Sequence, residues 1–219
     1  EQDENTLLTI DKGSIIGSNN GNTYQWLGIQ YGSIPDSSYR WKRGAETEKW
    51  DGVFEALEFG NTCVQKGSLI NTTKRRNWGD IVGSEDCLYL NVWAPKDVFD
   101  DLSQSKPVMI WIHGGSNVSG NADFYDPSEL VSSQDVIVVS INYRLGPFGW
   151  FRHPDITSTA ENPEDQSGNY GNIDSIQALE WVQRNIGFFG GDSSNITIFG
   201  ESAGGYNVAA LLSAKQANG

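Results

Sequence analysis

The chain has 219 residues, a formal net charge of −13, 37% hydrophobic residues and 8 Trp. That length supports one domain with a substantial core. The acidic balance argues against nucleic acid and anionic membrane as partners, and no apolar stretch is long enough to span a bilayer.

Residues 1–8 (EQDENTLL) have no basic start and no long apolar run, so a signal peptide is read as absent or already removed. Leu7 to Ile10, Ser14 to Ile16 and Tyr24 to Tyr31 are candidate strands, and Asn19-Asn20-Gly21 is a hairpin-turn signal. Ser33 to Gly60 reads as loop, with Tyr39, Trp41, Trp50 and Phe54 as packing aromatics. Residues 61–86 form a polar excursion bracketed by Cys63 and Cys87. One bond between these cysteines would restrain the unfolded chain by about 3 kcal/mol; two buried thiols are the other reading. Within the excursion, Lys74-Arg75-Arg76 is a solvated face, and Trp78 is read as a loop anchor rather than a pocket wall. Sequons for N-glycosylation occur at Asn71, Asn117 and Asn195. Asn117 lies within a Gly-rich motif, which argues against a sugar there.

Leu88 to Trp93 alternates as a strand that Pro95 ends. Val108 to Ile112 and Val136 to Ile141 are continuous apolar runs, as in strands buried on both faces of a parallel sheet. Pro127 to Gln134 between them reads as a short helix. Residues 144–172, rich in Gly and Pro, read as a long irregular segment. Ile173, Ile176, Leu179, Val182 and Ile186 then recur at helical spacing, with Asn172 as N-cap and Gly187 as stop. Ile196 to Phe199 is a short buried strand and Ala203 to Leu212 a helix. Strands first, then strand–helix–strand–helix, argue for an α/β sheet with its chemistry at the carboxyl edge. No repeat or linker marks a domain boundary within 1–219.

Between that last strand and helix stands Gly200-Glu201-Ser202-Ala203-Gly204, the pattern G-x-S-x-G. A nucleophile on so sharp a turn takes strained backbone angles, and small neighbours keep the turn clear. Ser202 Oγ then faces outward at a helix N-terminus, where N–H groups can receive developing negative charge. The remaining anion donors would come from His113-Gly114-Gly115-Ser116, which follows a central strand, together with the N–H of Ala203. No His/Cys/carboxylate cluster stands at metal-ligand spacing, no Gly-rich phosphate loop stands out, and no cofactor is implied.

Ser84 to Val92 (SEDCLYLNV) resembles the second signature of the type-B carboxylesterase/lipase family, which includes the cholinesterases. Phe199 to Gly205 (FGESAGG) resembles its serine signature, and Trp111 to Gly115, NYRLG at 142–146 and Gly168 to Trp181 are similar to the same family in the same order. The resemblance runs from about Gly28 to the end. It implies an α/β-hydrolase fold, mostly parallel with a β-rich N-terminal part, and hydrolysis of a small-molecule carboxylic ester through an acyl-enzyme. By the same resemblance Ser202 is the nucleophile, and Gly115, Ser116 and Ala203 form the oxyanion hole. Cys63–Cys87 is a disulfide, which implies a secreted or periplasmic protein. Arg40–Glu85 is a buried ion pair, and Glu201 tunes the site or hydrogen-bonds within the turn.

Two departures from the family pattern matter. Ser116 stands where the family usually has a third glycine, and Trp78 does not match the spacing of the choline-binding Trp, so no choline ester is predicted. The fold's triad order also places an acid and then a His after the serine. Here both histidines, His113 and His153, precede Ser202. The 219 residues are therefore read as the N-terminal part of one catalytic domain, nicked after residues 214–218. The C-terminal fragment, held as a second chain, would supply acid and base. The alternative function is a non-catalytic binding or adhesion module on the same fold.

Overall fold

A computed structural model describes residues 2–68, 79–101 and 103–217. Lys74-Arg75-Arg76, Trp78 and the Asn71 sequon lie outside the described residues. The chain opens with β1 (Leu8–Ile10), β2 (Gly13–Ile16), β3 (Ser18–Asn19) and β4 (Thr23–Gln30), with the Asn-Asn-Gly turn joining the last two as an antiparallel pair. Three short strands follow that the composition of residues 33–86 concealed: β5 (Val53–Glu55), β6 (Gln65–Lys66) and β7 (Ile81–Val82). β5 pairs with β2, and β6 with β7. Next come β8 (Tyr89–Pro95), β9 (Lys106–Ile112), α1 (Ser128–Gln134) and β10 (Ile137–Ile141). Residues 144–172 are less irregular than expected, because Pro at the first helical turns seeds α2 (Gly146–Gly149) and α3 (Pro154–Thr159). The long helix α4 (Tyr170–Asn185) starts earlier than its apolar spacing suggests. Asn169, not Asn172, is its N-cap. β11 (Gly191–Gly200) and α5 (Ala203–Ser213) are the last strand and α-helix among the described residues.

The main sheet has strand order β11-β9-β10-β8-β4-β3. It is parallel across β11, β9 and β10 and antiparallel from β10 through β8 and β4 to β3. Side-chain alternation sorts residues onto two faces. Val108, Ile110 and Ile112 of β9 and Ile137, Val139 and Ile141 of β10 join a large core with Trp181, Val182 and Phe189. Met109, Trp93 and Val138 point the other way, to a smaller cluster around Val131 of α1. β10 is buried along its whole length, as its unbroken apolar run requires, whereas β11 is half exposed at the sheet edge.

Register aligns the carboxyl ends of the parallel strands. Gly200 lies opposite Ile112, and Ile112 opposite Ile141, so the segments leaving β11, β9 and β10 emerge side by side. Just past β10, Arg144 is anchored through Nε and Nη2 to both carboxylate oxygens of Asp174 on α4, at 2.8 and 2.6 Å, with side chains 4% and 0% exposed. Arg144 also donates to the carbonyl of Lys42 at 2.7 Å. Removing one partner of such a pair leaves a buried charge unmatched. Asp174→Ala is expected to cost roughly 3–5 kcal/mol, read as a lower urea midpoint with unchanged slope. A loss below about 1 kcal/mol would mean that water reaches Arg144.

Candidate active site

β11 runs into Glu201 and Ser202, and α5 begins at the next residue. Ser202 has φ 54° and ψ −120°, a conformation that side chains bearing Cβ rarely hold and that costs of order 1–3 kcal/mol. Close packing enforces the turn. A Cβ on Gly204 would lie 2.0 Å from the carbonyl oxygen of Ile112, and one on Gly200 would lie 2.6 Å from the backbone of Gly204. The sequence expectation for both glycines therefore matches the geometry.

The loop leaving β9 lies against this turn. An added Cβ on Gly114 would sit 3.2 Å from Ser202 Cβ and 2.7 Å from Glu201 Oε2. The next residues rise into left-handed backbone, with φ 106° at Gly115, 57° at Ser116 and 58° at Asn117. Among the described residues, the N–H groups of Gly115, Ser116 and Ala203 have no protein acceptor. Ala203 is the first residue of α5, so its N–H adds to the positive end of that helix. A cavity of about 80 Å³ opens here, lined by His113, Gly114, Gly115, Asn121 and Glu201.

His113 supports the loop from below. Its Nδ1–H donates to the Gly114 carbonyl at 2.7 Å, and Tyr143 stacks on its ring with centroids 4.4 Å apart. The Tyr143 hydroxyl donates to the His113 carbonyl. Burial pushes the imidazole down to about 4, against a smaller upward push from the Gly114 carbonyl. His153 instead caps α3, accepting from Asp155 N–H at 3.3 Å. Among the described residues, neither histidine hydrogen-bonds Ser202.

Cys63 and Cys87 form a disulfide with Cα atoms 5.0 Å apart. Arg40 meets Glu85 with two hydrogen bonds, yet the pair is not buried as expected: the side chains are 34% and 28% exposed. Arg40 lies over the rings of Trp41 and Phe148 at the surface instead of beneath the core. Sequence reasoning missed Tyr143, Asn207 and the structural part played by Asn117. Asn207 donates from Nδ2 to Asn117 Oδ1 at 2.9 Å across 90 residues of sequence. Local spacing carries no sign of it. The Asn117 Oδ1 is thus engaged as an acceptor.

A strained strand-to-helix turn at the carboxyl edge of a mixed sheet, with a Gly-rich loop beside it, defines an α/β-hydrolase fold. The Carboxylesterase family profile matches residues 4–219, and the chain belongs to that family. It is 40% identical over 215 residues to the para-nitrobenzyl esterase of Bacillus subtilis (strain 168), covering 97% of this chain and 41% of that protein. It is 36% identical to the fumonisin B1 esterase of Sphingopyxis macrogoltabida, covering 97% and 38%. A solved PNB esterase structure superposes with a TM-score of 0.84 at 40% identity, covering 98% of this chain and 42% of that one. The chain thus spans less than half the length of these relatives.

The His113 environment has a pH consequence. An imidazole titrates near 6.5 when unfolded and near 4 in the folded chain. The unfolded state therefore binds the extra proton between these values, so stability rises with pH across that window. The contribution of about 3 kcal/mol is complete above pH 6.5 and is lost as pH falls toward 4. NMR of the folded protein should show a His113 ring that stays neutral from pH 8 down to 5. A midpoint near 6.5 would mean that Tyr143 does not seal it from water.

Proposed function

We propose that this chain carries the nucleophile and the anion-stabilising half of a serine carboxylic ester hydrolase. The observation that carries the reading is the strained backbone of Ser202 beside three acceptor-free N–H groups, those of Gly115, Ser116 and Ala203. Ser202 Oγ attacks the ester carbonyl while a base removes its proton. The carbonyl oxygen gains negative charge, and the three N–H groups stabilise it, each worth on the order of 3 kcal/mol in the transition state. The alcohol leaves, an acyl-enzyme remains on Ser202, and water releases the acid.

The triad acid and histidine come from polypeptide outside these 219 residues. It completes the same catalytic domain, whether continuous with this chain or held as a second one. The relatives' greater length and the engagement of His113 and His153 elsewhere support this. Export to the periplasm or beyond is supported by the Cys63–Cys87 bond. The substrate class is a small carboxylic ester.

A fluorophosphonate probe on the purified protein, with any co-purifying polypeptide retained, tests the reading. The expected result is one adduct, located on Ser202 by peptide mass spectrometry, and none on Ser202→Ala. That variant should lose at least about 10⁴-fold in hydrolysis of p-nitrophenyl acetate. An unlabelled Ser202 in a preparation that contains the complete polypeptide would instead favour a binding module.

A further inference from the structure

The loop after β9 closes as a tight turn. The N–H groups of Val118 and Ser119 both reach the Gly115 carbonyl at 3.1 Å, with Ser116 and Asn117 at its left-handed centre. Two successive left-handed residues suit Asn and Gly, and Ser poorly. Such a turn on the protein surface needs outside support to stay in one conformation. Ser116 is exposed and gives none.

Two contacts supply the support. Gly146 N–H, at the start of α2, donates to the Asn117 carbonyl at 2.6 Å. The side chains of Asn117 and Asn207 face each other as paired amides. Asn207 Nδ2 donates to Asn117 Oδ1 at 2.9 Å, and a longer bond of 3.5 Å returns from Asn117 Nδ2 to Asn207 Oδ1. Asn207 is 4% exposed and lies on α5, the helix whose first N–H is that of Ala203. From the other side, the Tyr143 hydroxyl holds the His113 carbonyl at the root of the loop.

From this geometry we infer that Asn117 and Asn207 are a positioning pair, which ties the loop half of the anion site to the helix half. They fix the Gly115 and Ser116 N–H groups relative to Ala203 N–H, so that all three meet one oxygen. The inference rests on the hydrolase reading of Ser202 and deepens it. Neither asparagine touches the reacting atoms; both act through the loop backbone.

The test uses the full polypeptide as purified, with two readouts: amide hydrogen exchange over residues 115–119, and kcat and KM for p-nitrophenyl acetate. Asn207→Leu removes the pair at similar volume. Asn117→Gly removes it while easing the left-handed φ. Asn117→Asp keeps the acceptor of the 2.9 Å bond. The first two variants should speed exchange over 115–119 by about tenfold or more, with β9 and β10 unchanged, because one anchor is lost. Their kcat should fall by roughly tenfold or more while KM stays within about threefold, as expected when N–H groups drift from a transition-state oxygen. Asn117→Asp should remain near wild type. If Asn207→Leu does not fold, Asn117→Gly carries the same test. Exchange and turnover like wild type in Asn117→Gly would overturn the inference, because the turn would then be self-supporting. Faster exchange in a protein whose wild type neither labels nor hydrolyses would uphold the clamp and reject the hydrolase reading instead.

Discussion

The site depends on how closely helix α5 can approach the end of strand β9. The carbonyl of Ile112 lies where the side chain of residue 204 would otherwise project, and only the absence of a Cβ allows the helix to start there. Once α5 is seated, Ser202 has little choice of backbone angles. It sits between a strand hydrogen-bonded to β9 and a helix pressed onto the same strand. The strain at Ser202 is therefore set by neighbouring packing, above all the close approach of Gly204 to the Ile112 carbonyl. In a close-packed interior such positions cannot relax independently.

Electrostatics at the carboxyl edge follow from the same packing. Positive polarity there comes from oriented N–H groups and a helix end, and among the described residues that line the cavity none is cationic. His113 contributes no charge at neutral pH, because the ring of Tyr143 and the surrounding core exclude water from it. It is a structural strut beneath the loop. Arg144, the nearest strongly held cation in sequence to that edge, is neutralised by Asp174 and turned toward α4.

The parts legible in the sequence were those fixed by local rules. Continuous apolar runs located β9 and β10, and the Gly-x-Ser-x-Gly spacing located the elbow, since each follows from sterics within a few residues. β5, β6 and β7 were not legible. Their residues do not alternate over enough length, and they exist because distant partners such as β2 complete them. The early start of α4 escaped notice because Tyr170, Asp174 and Gln177 are buried there without being aliphatic; Asp174 and Gln177 are held by Arg144 and by the Gly44 carbonyl. Asn117 and Asn207 meet only in three dimensions. The exposure of Arg40–Glu85 was likewise set by the tertiary placement of Trp41 and Phe148.

The Cys63–Cys87 bond joins positions 24 residues apart in sequence and closes the excursion that they bracket. The Gln65–Lys66 and Ile81–Val82 ladder closes the same excursion a second time, just inside the covalent link. A peptide bond cut between the cysteines would leave both pieces joined, and separation on a gel would require a reductant. Lengthening the enclosed segment would also be cheap: doubling a flexible loop adds only about 0.6 kcal/mol of closure entropy. Gln65, just inside the covalent link, accepts from the Gly120 N–H at 2.8 Å and donates to the Gly120 carbonyl at 2.9 Å, so the ladder also ties the excursion to the loop after β9. Two closures, one covalent and one of paired strands, therefore stand between the length of the enclosed segment and the loop beside Ser202.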